Sequence, residues 1–151
     1  MGEIVEDVVE AAELMAMALR SSKYQADFSA TSLWEVDRFF DEQSRNGAPV
    51  RGGLLDVQLG MRVFAMGAYV GEVLRRNLGG TWHGDDADEH AEMNVELLLS
   101  DTTVCWPVQQ VMKRFVLGPS EGLADYGRHL GLDVGRRPRR RRLGRRRAGT
   151  R

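Results

Sequence analysis

The sequence holds one cysteine, Cys105, only four prolines and three histidines in 151 residues. A lone thiol excludes an intramolecular disulfide framework and fits a reducing compartment. Charged residues interrupt every apolar stretch well before the roughly 18 residues that a membrane span requires. The opening segment, MGEIVEDVVEAAEL, places acids where an export signal has a basic start, and Glu6 stands where a myristoylation signal has Ser or Thr. The expectation is a cytoplasmic chain with no membrane partner.

Catalytic signatures are equally scarce. The sequence has no G-x-S-x-G, no H-E-x-x-H, no calcium loop and no glycine-rich nucleotide fingerprint. Gly79-Gly80 follows a helical stretch, so its amides do not open a helix where an anion would bind. No cofactor is expected, and the reading favours a protein that is not an enzyme.

What the chain has is a divided charge. Its net charge of −1 conceals an acidic body and a basic tail: all 22 acids precede residue 136, whereas ten of the 21 basic residues, all Arg, follow residue 135. The body therefore carries −11 and the tail +10. This divides the chain into one α+β domain over 1–134 and an Arg-rich tail, expected to be disordered, over 135–151.

Along the body, helical spacing of Ile4, Val8, Ala12, Met15 and Leu19 predicts a helix over 3–20, with Glu3, Glu6, Asp7, Glu10 and Glu13 outside. A polar linker with Tyr24 and Phe28 as anchors follows. Ser32 and Glu35 have the spacing of a capping box, opening a helix to about Gln43 that buries Leu33, Val36 and Phe40. The segment 45–53 ends that helix as a loop. The longest helical pattern runs over 54–78, placing Gln58, Arg62, Ala65, Tyr69, Glu72 and Arg76 on a polar side. Gly60, Phe64, Gly67, Gly71, Leu74 and Leu78 fall opposite, as a close-packing stripe.

Gly79-Gly80 stops the helix. Short strands are expected at 81–83, 93–99 and 102–106, with Trp82 and Trp106 available as a cross-strand pair. Pro107 opens another helix, which Gly118-Pro119 closes, and Ser120 caps a last short one. The architecture is α+β: N-terminal helices and a long Gly-containing central helix packed on a small antiparallel sheet of two to three strands, then two short C-terminal helices.

Four groups could carry function. His83, Asp85 and His90, within the run of His83, Asp85, Asp86, Asp88, Glu89 and His90, are ligand types for zinc, manganese or iron, although the spacing fits no metal motif. Cys105 could act as a nucleophile beside His83, His90 or His129, but its place between Val104 and Trp106 suits a buried, inert thiol. Tyr69, Glu72 and Arg76 offer a partner surface on the polar side of the long helix. In the tail, Arg136, Arg137, Arg139, Arg140, Arg141, Arg142, Arg145, Arg146 and Arg147 form a polyanion-binding run.

The run GAYVGEVLRRNLGGTW (67–82), with WPVQQVMKRFVLGPSEGL (106–123), resembles a group of bacterial domains of unknown function. In that group a G-x-Y-x-G-E-V helix precedes G-G-x-W, and a strand leads through Pro into a V-x-K-R helix. The resemblance covers about 54–132 and implies a shared fold and an adaptor or immunity-like role. It transfers no catalytic residue and leaves the tail outside.

The leading expectation is a non-enzymatic domain that binds another protein, a basic one or a second copy of itself. Polyanion or nucleic-acid binding through the tail is the second reading. Metal-dependent hydrolysis through the His83–His90 cluster is the third.

Overall fold

The computed structural model describes residues 2–139. Its fold is α+β, with six helices and two small antiparallel sheets. Helix α1 (Glu3–Ser21) buries Ile4, Val8, Ala12, Met15 and Leu19, the stripe that its periodicity predicts. Helix α2 (Leu33–Gln43) buries Leu33, Val36, Phe39 and Phe40. The expected capping box is absent. Ser32 closes a 3-10 turn (Ala30–Ser32) in helical backbone, and Glu35 instead accepts from the Gln25 amide and from Arg38.

Residues 45–53 are more than a loop. Strands β1 (Ser44–Arg45) and β2 (Ala48–Pro49) pair across Asn46-Gly47, whose φ angles are both positive, 54° and 77°. This is a type I′ hairpin, the turn that Asn-Gly favours.

Helix α3 (Leu59–Leu78) is the centre of the molecule. It begins five residues later than periodicity predicts, because residues 54–58 form turns and Gln58 takes a left-handed φ of 53°. From Met66 to Leu74 every residue is buried, so the expected polar side does not exist over these two and a half turns. A helix buried all round needs neighbours on every side. Helices α1 and α5 (Pro107–Leu117) pack most extensively on it, with β3 (Gly80–His83) and β4 (Glu96–Leu99) beside them.

Two glycines make that crowding possible. A β-carbon at Gly67 would lie 2.5 Å from Val108 Cα, the backbone of α5, and one at Gly71 would overlap the Trp82 ring. Gly60, expected in the same stripe, faces open space. It is no packing residue.

The three-stranded sheet has the order β3-β4-β5, with β5 at Val104–Cys105. Trp82, Leu97 and Cys105 are in register across it and form its buried row, while Thr81, Leu98 and Val104 form the exposed row. Trp82 and Trp106 are therefore not a pair: β4 separates their strands, and Trp106 follows β5 with 42% of its surface exposed. Met93 and Asn94, read as the start of a strand, instead end a helical turn, α4 (Ala91–Asn94).

Helix α6 (Leu123–His129) is not capped by Ser120, which lies in a 3-10 turn (Pro119–Glu121). Asp37, on α2, accepts the Leu123 and Ala124 amides at 2.8 and 3.0 Å. The buried Arg114 donates to the same carboxylate at 3.1 Å and to Asp41 at 2.7 Å. One acid thus joins α2, α5 and α6. No helix among the described residues is long and apolar enough to cross a membrane.

Candidate partner-binding surface

The polar residues of the long helix turn inward. Tyr69 and Glu72 have no exposed surface, so neither can touch a partner. Ser32 donates its hydroxyl proton to the Ser29 carbonyl, which leaves Tyr69 to donate to Ser32 at 2.7 Å while accepting the Phe28 amide at 3.0 Å. Glu72 receives Trp82 Nε1 at 2.7 Å, Arg75 Nε at 2.6 Å and Arg76 Nε at 3.0 Å. Burial pushes the Glu72 carboxyl up, and the bonds from Arg75, Trp82 and Arg76 outweigh it, holding the group below the usual carboxylate range. Arg76 continues to Glu13 of α1 at 2.6 Å and lies over the Phe28 ring. Of the three residues expected on the surface, only Arg76 reaches solvent, and its fork is already engaged. The cluster ties α1, α3 and β3 together.

The acidic loop organises itself without converging ligands. Asp85 accepts the Ala87 amide, and Asp88 accepts the His90 amide and the Asn94 side chain, at 2.8–2.9 Å. His83 projects from β3 and His90 from the start of α4, both exposed. Among the described residues no group of three or more His, Cys, Asp or Glu side chains is placed to hold a metal. His83, Asp85 and His90 are therefore not brought together as a ligand set.

Cys105 is buried, and burial pushes its thiol up, only partly countered by a hydrogen bond with Tyr126. Such a thiol is a poor nucleophile at neutral pH.

Asp86 has a different use. It accepts the Ile4 and Glu3 amides at 2.8 and 3.0 Å and so caps α1 from 82 residues away. Those amides, Ile4 first, hold the carboxyl below its usual range. The cap presses the loop against the first turn of α1, where Glu3, Asp7, Asp86, Asp88, Glu89 and Glu92 rim a depression of about 410 Å³.

The outer face of α1 extends this surface. Glu3, Glu6, Glu10 and Glu13 lie on it, exposed, beside two residues that sequence reasoning missed: Leu14 and Met17, 59% and 58% exposed. Their helical phase is the available signal, since both fall opposite the Ile4–Leu19 stripe.

Of the tail residues, Arg136, Arg137 and Arg139 are described and exposed. Arg140, Arg141, Arg142, Arg145, Arg146 and Arg147 lie outside the described residues. No family model, curated protein or solved structure matches the chain.

Proposed function

We propose that this domain is a non-enzymatic adaptor or immunity-like module that binds a basic protein. The contact surface is the outer face of α1 together with the acidic loop. The observation that carries this reading is the Asp86 cap, which joins two acidic segments distant in sequence at the start of the helix whose outer face also carries the exposed Leu14 and Met17. A partner with Lys or Arg around an apolar centre complements it: charge steers the encounter and apolar burial holds the complex.

The core's ionisable groups support the same reading. Glu72 and Arg114 are saturated by structural partners, and the Cys105 thiol is shifted away from reactivity. The acidic faces of two copies repel, which favours a foreign partner over self-association through this surface.

The test is capture on immobilised full chain from extract of the native source. A basic protein should be retained at low salt, released as ionic strength rises, and lost with Leu14→Ser/Met17→Ser. Retention unaffected by that double substitution, or retention of a second copy alone, overturns the proposal. So does a monomeric chain that retains nothing.

A further inference from the structure

β5 is the last strand of its sheet. The Leu99 amide donates to the Thr103 carbonyl at 2.8 Å and Leu97 faces Cys105, so the alternation of an antiparallel ladder turns the Val104 amide and carbonyl away from β4. Among the described residues no loop or cap bond uses either group. Sheets commonly guard such an edge with charge, and residues 102–106, TTVCW, carry none.

The edge opens on a depression of about 250 Å³ between β5, α5 and α6, lined by Val104, Trp106, Gln109, Lys113, Tyr126 and Leu130. Val104 and Trp106 are 40% and 42% exposed, and Leu98, the cross-strand neighbour of Val104, is a third exposed apolar residue. Along the α5 wall the side-chain amides are engaged: Gln109 donates to the Met93 carbonyl and to Asn94, and Gln110 to Glu121. Lys113 is not engaged. It is exposed and forms no ion pair among the described residues.

We infer that this depression binds the C-terminal end of an extended peptide, added as a strand on β5, with its apolar last side chain against Trp106 and Tyr126 and its carboxylate on Lys113. A free amide and carbonyl on an uncharged edge select an extended chain, because a second backbone offers an acceptor and a donor at matching spacing. Helix α5 starts at Pro107, directly after Trp106, so an added strand has little room to run before it meets the α5 wall. The ammonium of Lys113 at that wall matches a terminal carboxylate and repels a terminal amine. The depression is smaller than the ~300–1,000 Å³ pockets of drug-sized ligands, which suits a single terminal residue. None of its lining residues belongs to α1 or to the acidic loop, so the site is distinct from the proposed partner surface.

The experiment titrates the full chain into fluorescein-labelled peptides, Thr-Val-Thr-Val extended by Val, Leu, Ile or Phe with a free carboxylate, and follows fluorescence anisotropy. At least one should bind more tightly than about 1 mM. Amidation of the carboxylate and Lys113→Gln, at an exposed position, should each weaken that binding about 10-fold or more, the scale of a charge-assisted hydrogen bond. Methylating each peptide amide in turn should abolish binding at the position that pairs with Val104 and spare the others. Trp106→Ala should lose binding with an unchanged circular dichroism spectrum, and Leu14→Ser/Met17→Ser should leave it intact. Four results overturn the inference: no peptide of the panel bound, binding indifferent to amidation and to Lys113→Gln, binding indifferent to every methylation, or a dimer of the chain that Trp106→Ala dissociates, which would make a second copy the occupant.

Discussion

Trp82 donates its indole N–H to Glu72, a carboxylate with no exposed surface, while the same indole ring lies where a side chain at Gly71 would be. Two adjacent residues of α3 thus hold one tryptophan, Gly71 by leaving room and Glu72 by accepting its hydrogen bond. Trp82→Phe keeps most of the ring and removes the donor. It should cost about 1.5–3 kcal/mol, the range for a hydrogen bond to a charged group, in urea unfolding. Gly71→Ala should cost more in the wild type than in a Trp82→Leu background, a non-additivity that a double-mutant cycle measures.

The glycines of α3 should separate by environment. Gly67→Ala forces apart the backbones of α3 and α5 and should destabilise by about 1–3 kcal/mol. Gly60→Ala meets nothing and restricts the unfolded chain, so it should stabilise by about 0.4–1 kcal/mol. Equal effects at the two positions would contradict the packing described.

Glu72 and Asp86 both have folded-state pKa values below those of the unfolded chain. Their contribution to stability is therefore complete above the unfolded carboxylate values of about 4 and is lost as pH falls through the lower folded values. Denaturant unfolding from pH 7 to pH 3 should show this acid limb, and Glu72→Gln should flatten it. At pH 7 that substitution should destabilise by roughly 2–4 kcal/mol, tempered by the partial exposure of Arg75 and Arg76.

Asp37→Ala removes the cap of α6 and one partner of buried Arg114 together. A loss of about 2–4 kcal/mol is expected, and Asp37→Asn, which can still accept an amide hydrogen, should lose less. Thermal melts of the two variants check this order.

Cys105 should stay silent toward a thiol reagent in the native protein and react fully in denaturant, because its sulfur is buried and its thiolate disfavoured. Fast native labelling would contradict its placement in the buried row with Trp82 and Leu97.

Much of this fold is legible in the sequence. Local spacing reveals a helix whose one side is buried, and the stripe from Ile4 to Leu19 and the Pro107 start of α5 both follow from it. Periodicity fails on α3 because polarity is a poor guide to exposure once partners come from elsewhere in the chain. Tyr69 is satisfied by Ser32 and Phe28, which no helical phase relates to it, and Glu72, paired with Arg75 and Arg76 at helical spacing, takes its remaining partner, Trp82, from the following strand. The same holds for the Asp37 and Asp86 caps, which act across 86 and 82 residues on the amides of Leu123 and Ile4. Asn46-Gly47 is the opposite case. Its hairpin signal is local, and only the proximity of Pro49 and Gly52-Gly53 made the segment read as a plain loop. Of the candidate surface, the acids of α1 and of the loop are plain in sequence, but their meeting at Asp86 is not.

The central claim is that the Gly71–Glu72–Trp82 cluster builds the fold while the outer face of α1 does the binding. Thermal melts and partner capture should be measured side by side on Gly71→Ala and on Glu10→Lys/Leu14→Ser/Met17→Ser. The account predicts a large fall in melting temperature for the first, with capture lost only as the protein unfolds, and abolished capture at an unchanged melting temperature for the second. A stable Gly71→Ala that loses capture, or a triple variant that retains it, would contradict the account.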